Sequence, residues 1–472
     1  MATKRKSDTG KAVGVSLGIA APLPRKRYSC IVLGAGLSGL AAAYRLTERG
    51  WDVNVVEAQE RIGGRVYSHR FDEAPNLVCE LGGEWIGRGH EEMLRLQQLF
   101  QLPKIDHQYA YSFWEYGKAL SFREPGKWPL RPEAEVKFNA LQEQFNKDSE
   151  IRDTEERLAR QKKMDMLDWW TLLDRAGFKL EDLLQRDLMD GTDFGESIRQ
   201  VSAYVGASEY FGAAGESADP TDEMDFKLEG GNSQLVYALA NAVGRSKIHT
   251  GFEIDKVFQE RGKVQVYSGK DTIEADFCIC ALPAHQLPAI DWGDSGLSEK
   301  HMEAAKQLQY ARITKTAVLC SERFWPKPPC GGFSVFTPLA SDFCFDSTLD
   351  QDGDCGILCS YAIGDKADDI AASPIRELKD WIAGDVAKAT RPDWDDAKVR
   401  KVALAAKRQA WQNDPFTRGA YAFYRPGQWF TVREILKRPH KNVHFAGEHI
   451  ADEQGFMEGA VVSGKEAADS IK

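Results

Sequence analysis

The pattern of apolar residues near the start of the chain predicts a strand, a helix and a second strand. Residues 31–33 form a short apolar run, as expected of a strand buried on both faces of a parallel sheet. Helical spacing continues through Leu40, Tyr44 and Leu46, and residues 53–56 form the next apolar run. This order predicts a β-α-β unit.

Farther along the chain the period of the pattern changes. Residues 131–216 have mostly helical periodicity and many charged residues, and residues 164–178 are predicted to form one such helix. Residues 263–275 alternate around a turn, which predicts a β-hairpin, and residues 275–283 follow as a buried strand. Residues 441–472 predict a strand, a loop and a final helix.

Three glycines follow the first predicted strand in the spacing of a dinucleotide-binding turn. Gly34 permits the tight turn, Gly36 lets the backbone approach a pyrophosphate, and Gly39 lets the helix pack closely on the strand. Glu57 ends the second strand, where an acidic side chain binds the ribose hydroxyls. A carboxylate there would repel a 2′-phosphate, so NADP is disfavoured and both NAD and FAD remain open. The predicted cofactor set also includes Leu37 and Ser38 at the helix start, whose amides point at the phosphates, and Ala58.

Length, charge and cysteine content narrow the class of protein. The 472 residues predict two or three domains. The net charge of −10 argues against nucleic acid or an anionic membrane as the main partner, and no apolar run approaches the ~20 residues of a membrane span. The nine cysteines are scattered without a C-x-x-C pair, so neither a metal site nor a disulfide framework is expected. Cys278 and Cys280 are interpreted as small core residues.

The first 27 residues differ from the rest. Two basic clusters enclose a thin, glycine-rich apolar run, which we interpret as a disordered leader. With the cysteine pattern, this favours a reducing compartment, the cytoplasm, with export through the leader as the alternative. The sequence leaves a homo-oligomer open.

Four further motifs allow a family resemblance to be stated. They are RIGGRV at residues 61–66, ELGGEWIG at residues 80–87, ARITKTAVLCSERFW at residues 311–325 and FAGEHIADEQGFMEGA at residues 445–460. From about residue 28 to residue 472 the chain resembles the flavin-dependent amine oxidase superfamily, which includes monoamine, polyamine and L-amino-acid oxidases. The resemblance implies FAD as the cofactor.

The resemblance assigns roles to individual residues. Arg65 would face the FAD pyrophosphate, Ile254 would offer its backbone to the adenine, and Lys315 would hold a water against the flavin N(5). A helix beginning near Phe456 and Met457 would stabilise negative charge on the reduced flavin through its amides and dipole. The implied cofactor site further includes Gly64, Gly82, Gly83, Glu84, Trp85, Gly447, Glu448 and Gly455.

The resemblance also implies a reaction. Tyr421 and Phe456 would form the walls of an aromatic slot, and Trp411 lies in the same loop as Tyr421. A neutral amine would place its α-carbon hydrogen over N(5), and dioxygen would reoxidise the flavin to give hydrogen peroxide. Ala420 stands where monoamine oxidases carry the cysteine bonded to FAD, so the flavin is expected to be bound non-covalently.

Tyr361 directs the expected substrate class toward amino acids. Residues 356–370 resemble the segment of L-amino-acid oxidases whose tyrosine hydroxyl binds the substrate carboxylate, which would be Tyr361 in this chain. A carboxylate in a dry site requires a cation or strong donors. Trp85 replaces the arginine that many L-amino-acid oxidases carry beside the flavin, and Arg88 is the nearest substitute cation.

The expected function is therefore oxidative deamination of small-molecule L-amino acids by FAD and dioxygen. The alternatives are a monoamine or polyamine oxidase, an NAD-dependent dehydrogenase and a non-enzymatic flavoprotein. The expected fold is α/β, with a Rossmann-like FAD-binding domain of the glutathione reductase type interleaved with a mixed α+β substrate domain and a helical insertion. The predicted boundaries are 28–90, 226–300 and 435–472 for the FAD-binding domain, 91–130 and 301–434 for the substrate domain, and 131–225 for the helical part.

Overall fold

The structure is a computed structural model that describes residues 28–114, 120–125, 130–212, 224–293 and 297–472. The predicted leader lies outside the described residues. The strands are β1 Ser29–Leu33, β2 Asp52–Val56, β3 Ser68–Phe71, β4 Ala74–Glu80, β5 Lys104–Asp106, β6 Tyr109–Ser112, β7 Phe122–Arg123, β8 Phe226–Leu228, β9 Ile248–His249, β10 Lys256–Glu260, β11 Lys263–Ser268, β12 Asp271–Ala275, β13 Phe277–Cys280, β14 Gln309–Tyr310, β15 Ile313–Cys320, β16 Gly332–Phe336, β17 Phe343–Asp346, β18 Gly356–Ile363, β19 Ala403–Ala410, β20 Ala422–Phe423 and β21 Val443–Phe445. The α-helices are α1 Leu37–Glu48, α2 Glu91–Leu99, α3 Pro132–Ser149, α4 Thr154–Asp165, α5 Trp169–Arg175, α6 Leu180–Phe194, α7 Ala203–Phe211, α8 Ser233–Val243, α9 Glu299–Gln307, α10 Gly364–Ala372, α11 Ile375–Thr390, α12 Asp396–Val402, α13 Glu434–Leu436 and α14 Met457–Ser470.

A five-stranded parallel sheet forms the nucleotide-binding half of the fold. Its order is β21-β13-β1-β2-β9, and every neighbouring pair is parallel. The predicted β-α-β unit is confirmed, and β1 is buried on both faces as its continuous apolar run requires. The sheet takes its strands from three separated stretches of the chain, as the interleaved α/β fold predicts. The domain boundaries themselves stay a prediction.

Close backbone packing explains the third glycine of the turn. A Cβ at Gly39 would lie 2.0 Å from the carbonyl oxygen of Gly34, so only glycine lets α1 approach β1 this closely. On its other side α1 meets α14, where a Cβ at Gly464 would lie 2.2 Å from the carbonyl oxygen of Ser38. The N-terminus of α1 is therefore fixed between the sheet and the last helix.

A seven-stranded, mostly antiparallel sheet forms the other half, in the order β19-β15-β18-β17-β16-β6-β7. Lys315 on β15 is paired directly with Tyr361 on β18, and Tyr361 is paired with Phe343 on β17. Residues paired in this way project from the same face of a sheet. The register therefore places a lysine, a tyrosine and a phenylalanine side by side.

The middle of the chain is helical, as predicted, but one predicted helix is broken. Residues 164–178 belong to two helices, because α4 ends at Asp165 and α5 begins at Trp169. The Asp168 carboxylate accepts a 2.7 Å hydrogen bond from the amide of Thr171 and so caps α5. An N-cap aspartate inside a helical pattern starts a new helix rather than continuing the old one.

The predicted hairpin, the buried strand after it and the core placement of two cysteines are confirmed. Strands β11 and β12 form the predicted hairpin around Gly269, and β13 is the buried strand next to β1 in the parallel sheet. All nine cysteines are unpaired, and Cys278 and Cys280 are buried core residues. Across the described ranges, no helix combines the length and the apolar character needed to cross a bilayer.

We expect Gly39→Ala to destabilise the protein by about 1–3 kcal/mol, because the added methyl group must push α1 away from β1. Gly384→Ala is the matched control. Gly384 also lies in a helix, but a Cβ there has no neighbour within 4 Å. This change should leave stability unchanged or raise it by up to about 1 kcal/mol. Thermal unfolding of both variants checks the prediction, and equal effects would contradict it.

Candidate active site

The carboxyl ends of β1, β2 and β13 open onto a cavity of about 370 Å³. Ligands of open parallel sheets bind at this edge. The remaining walls come from the seven-stranded sheet, from the ends of α6 and α7, and from the start of α14. The cavity therefore joins the glycine turn to the face that carries Lys315 and Tyr361.

Most residues predicted for the site line this one cavity, although their individual roles stay predictions. Gly39 does not line it, as expected from its packing role, and neither does Arg88. The predicted residues on its walls are Gly34, Gly36, Leu37, Ser38, Glu57, Ala58, Gly64, Arg65, Gly82, Gly83, Glu84, Trp85, Ile254, Lys315, Tyr361, Trp411, Tyr421, Gly447, Glu448, Gly455, Phe456 and Met457.

The glycine turn leaves open space for a bound group. A Cβ at Gly36 would meet no atom closer than the Cα of Gly64, 3.9 Å away, so no side chain covers the turn at this glycine. A Cβ at Gly64 would lie 3.2 Å from the Cα of Gly36, so the two glycines pack backbone to backbone. Glu57 accepts hydrogen bonds from the amides of Ala35 at 2.8 Å and Gln59 at 3.0 Å. Burial raises the pKa of Glu57, and these two amides partly oppose that effect.

An ion pair ties two distant motifs together at the cavity wall. The Arg65 Nη1 atom lies 2.7 Å from the Glu448 Oε1 atom and also donates to the carbonyl of Ala420. The second oxygen of Glu448 accepts from the amide of Gly455 at 3.0 Å. Arg65 and Glu448 thus hold the second glycine motif against the C-terminal motif, which lies hundreds of residues later in the chain.

The loop of residues 81–85 is fixed through its backbone. The indole of Trp411 donates to the carbonyl of Leu81 at 2.8 Å. The side-chain amide of Asn232 donates to the carbonyls of Gly83 at 3.1 Å and Glu84 at 2.7 Å. Trp411 therefore makes a structural contact with this loop, and Asn232 fixes the backbone that carries the Glu84 side chain.

Lys315 and Glu84 form a buried ion pair at the cavity wall. The lysine Nζ atom lies 2.5 Å from Glu84 Oε2 and 3.1 Å from the carbonyl oxygen of Gly82, and Lys315 is 2% exposed. His107 Nε2 lies 2.9 Å from the other carboxylate oxygen. Burial alone would raise the pKa of Glu84, but Lys315 and His107 hold it at about 2. Burial and Lys227 lower the pKa of His107 to about 4, so this imidazole is neutral at pH 7.

Two tyrosines on the cavity wall share a hydrogen-bond chain. The hydroxyls of Tyr361 and Tyr421 lie 2.8 Å apart, and the Tyr421 hydroxyl donates to the carbonyl of Thr192 at 2.8 Å. Burial raises the pKa of both phenols, so both stay protonated. Tyr421 also lies beside Gly455, the neighbour of Phe456. A slot between Tyr421 and Phe456 stays a prediction.

Arg88 lies apart from the site. Its guanidinium forms a 2.7 Å ion pair with the buried carboxylate of Asp225, and its side chain is 52% exposed. The local sequence could not reveal this, because Asp225 is 137 positions away. Arg88 is therefore poorly placed to bind a substrate carboxylate in the cavity.

The helical part contributes acidic residues that sequence reasoning missed. Asp193 and Glu209 line the cavity, and the Tyr210 hydroxyl donates to Asp193 at 2.5 Å. Burial raises the pKa of Asp193 well above its usual value, despite the hydrogen bond from Tyr210. Helix α6 ends at Phe194 and is capped by Gly195, where a Cβ would lie 2.2 Å from the Ala311 Cβ, so the end of the helix packs directly against Ala311. Of these features, only the glycine that caps α6 could be identified from the sequence.

Further aromatic and aliphatic side chains line the cavity. They are Tyr111, Phe194, Ile313, Phe336 and Phe343, none of which was predicted. These residues come from strands and helices far apart in the chain, and their spacing in each element is that of ordinary core residues.

The lining residues fit a flavin dinucleotide. The uncovered backbone at Gly36, the N-terminus of α1 and Glu57 match the needs of a pyrophosphate and a ribose. Three buried polar atoms on lining residues have no protein hydrogen-bond partner within the described part of the chain: Trp85 Nε1, His449 Nδ1 and Gln454 Oε1. A bound group or water would satisfy them.

A dinucleotide cradle that opens into a buried aromatic chamber is the arrangement of a cofactor-dependent oxidoreductase. Residues 37–472 match the model of the flavin containing amine oxidoreductase family, and the chain belongs to that family. The flavin alternative is thereby favoured over NAD, and the predicted α/β flavoprotein fold is confirmed.

Curated relatives and solved structures are similar over nearly the whole chain. The chain is 27% identical to the flavin-dependent L-tryptophan oxidase of Lentzea aerocolonigenes, covering 95% of this chain and 99% of that protein. It is 25% identical to an L-amino-acid oxidase of Vipera ammodytes ammodytes, covering 93% and 92%. Its fold is similar to putrescine oxidase bound to putrescine, with a TM-score of 0.80, 21% identity and coverage of 94% and 99%. Cyclohexylamine oxidase from Brevibacterium oxydans gives a TM-score of 0.78 at 22% identity, with coverage of 94% and 98%.

We expect Arg65→Met to weaken flavin binding by about 10- to 100-fold, because a charge-assisted hydrogen bond is worth ~1.5–3 kcal/mol. Arg61→Met is the matched control, since Arg61 lies in the same loop, donates to the carbonyl of Gly64 and does not line the cavity. Flavin fluorescence during dilution measures both affinities. Equal losses in the two variants would mean that Arg65 acts only through the loop structure.

Proposed function

We propose that this chain is an FAD-dependent oxidase that oxidises the carbon next to an amine nitrogen. The observation that carries the proposal is the convergence of the dinucleotide cradle, Lys315 and the tyrosine pair on one cavity. Family membership supplies the reaction class. Dioxygen is the proposed electron acceptor.

FAD would be held along the cavity by the chain's own groups. The amides of α1 and the side chain of Arg65 would hold the pyrophosphate, Glu57 the ribose, and Ile254 the adenine. The amides that begin α14 at Met457 would face the flavin ring. Ala420 has no nucleophile, so we propose non-covalent FAD that denaturation by acid releases. When bound, the flavin accepts the hydride of the substrate and passes the electrons to dioxygen.

The protein residues orient the substrate and exclude water. A neutral amine needs no strong base, and the side chains that face it are largely aromatic. The Tyr361–Tyr421–Thr192 chain fixes both hydroxyls, so each phenol presents a defined edge to the cavity. Lys315 supplies a positive charge at the wall where the resemblance places the flavin N(5).

Charge in the described cavity favours an amine substrate without a carboxylate. Among the described lining residues, Arg65 and Lys315 carry the positive charges, and each is already paired with a glutamate. Asp193 and Glu209 add acidic groups near the tyrosines, and Asp193 is close enough to contribute to the raised pKa of Tyr361, to which burial contributes most. Burial raises the pKa of Asp193 well above its usual value, so neither this carboxyl nor Glu209 supplies a cation for a substrate carboxylate. A substrate carboxylate would therefore enter the cavity without a charge partner, which costs free energy.

Oxidation of L-amino acids is the second candidate. Tyr361 faces the cavity, as the predicted carboxylate-binding residue must. The curated relatives named above are an L-tryptophan oxidase and an L-amino-acid oxidase. Arg88 does not support this candidate, because it is paired with Asp225 outside the cavity.

Matched substrate pairs distinguish the two candidates. We expect kcat/KM for phenylethylamine to exceed that for L-phenylalanine by about tenfold or more, because an unpaired carboxylate in the cavity costs at least ~1.4 kcal/mol. Peroxide release measures both reactions. A clear preference for L-phenylalanine would contradict the amine proposal and support the second candidate.

The variant Tyr361→Phe then locates the carboxylate. If amino acids are the substrates, their KM should rise by about 10- to 100-fold while the KM of the matched amine stays constant. If the KM values of the amino acid and of the amine rise equally, Tyr361 has a structural role in the cavity and binds no carboxylate.

A further inference from the structure

Behind the ion pair of Lys315 and Glu84 lies a cluster of buried charged residues. The amine of Lys227, which is 0% exposed, donates to the carbonyl of Ser347 at 2.5 Å. The Ser347 hydroxyl lies 3.4 Å from Glu84 Oε1. Glu80 is also 0% exposed and accepts from the Ser68 hydroxyl and the Asn232 amide. Two lysines and two glutamates therefore balance one another inside the protein.

Glu84 is the member of this cluster that contacts Lys315. One of its oxygens binds the lysine, and the other is held by His107, whose ring lies against the Tyr109 hydroxyl. The loop backbone on either side of Glu84 is held by Asn232. Neither carboxylate oxygen is free to rotate away, so Glu84 fixes the direction of the ammonium.

We infer that Glu84 is a positioning residue that holds the Lys315 side chain charged and aimed at the flavin, with His107 keeping Glu84 in place. The inference rests on the proposed function in one respect, which is that a flavin occupies the cavity. It does not depend on whether the substrate is an amine or an amino acid.

The consequence is that the rate of flavin reoxidation is insensitive to pH. Burial disfavours the charged lysine, and Glu84 outweighs that effect, so the pKa of Lys315 is raised. A raised lysine pKa keeps the charge in place until the pH becomes strongly alkaline. Without Glu84 the effect of burial would dominate, and lysines buried without a partner can titrate near pH ~5–6. The other groups that act on Lys315 or Glu84 are Glu80, His107, Lys227, Cys359 and Tyr361.

The experiment follows the reoxidation of flavin reduced with dithionite, so that no amine substrate is needed. In the parent protein we expect a rate in air-saturated buffer that varies little between about pH 6 and 9, because Lys315 stays charged over this range. In Glu84→Gln the rate should fall with rising pH, to at least about tenfold below the parent at pH ~8, and approach that of Lys315→Met. Glu84→Asp should keep the parent profile.

Asp385→Asn is the matched control. Asp385 is a buried carboxylate that pairs with a lysine, Lys388, but it does not line the cavity. Its removal should leave the profile unchanged. A Glu84→Gln profile parallel to that of the parent would overturn the inference, even if all rates were lower.

Thermal unfolding gives a reading that does not depend on activity. Removing Glu84 alone leaves a buried lysine amine without its partner, which is costly whether the amine keeps or loses its charge, whereas removing both members does not. The double variant Glu84→Gln, Lys315→Met should therefore unfold at a higher temperature than Glu84→Gln alone. If Glu84→Gln does not fold, recovery of folded protein in the double variant supports the inference, and failure to recover overturns it. Purified parent protein without flavin would instead contradict the proposed function.

Discussion

A buried lysine ammonium keeps its charge only if a carboxylate balances it, and much of this structure serves that requirement. Lys315 comes from the centre of the seven-stranded sheet and Glu84 from a loop next to the parallel sheet. The pair is stable because the loop backbone is bound by Asn232 and Trp411, and because His107 occupies the remaining oxygen of the carboxylate. The two halves of the fold therefore meet at this buried ion pair.

The cofactor cradle has the same dependence on distant parts of the chain. The parallel sheet uses strands from three stretches, and the Arg65–Glu448 pair joins two of its loops across 383 positions. Close glycine contacts let α1 lie between β1 and α14. A site assembled in this way forms only when these separated stretches of the chain have folded together.

Local interactions were predictable from sequence, and contacts between distant residues were not. The β1-turn-α1 unit, the β11–β12 hairpin and the start of α14 follow from patterns within a few residues. The break at Asp168 was missed because a single N-cap residue interrupts an otherwise helical pattern. The family resemblance pointed to Lys315 and Tyr361 as site residues. Their direct pairing could not be predicted, because it depends on the register between β15 and β18.

Charge partners were the least predictable feature of the site. Arg88 looked like a substitute cation from its position in the loop, yet its partner Asp225 lies far along the chain. Asp193 lies on the cavity wall because it stands at the end of α6. Nothing in its local sequence distinguishes it from a surface aspartate. Because of the positions of Arg88 and Asp193, the favoured substrate is an amine, whereas the sequence alone favoured an amino acid.

Anaerobic titration of the purified yellow protein tests most directly whether the cavity oxidises amines. Phenylethylamine or another simple amine should bleach the flavin absorbance in the absence of oxygen, and admission of air should restore it. If neither amines nor L-amino acids bleach the bound flavin, the cavity holds a flavin without oxidising amines, and the proposed function is contradicted.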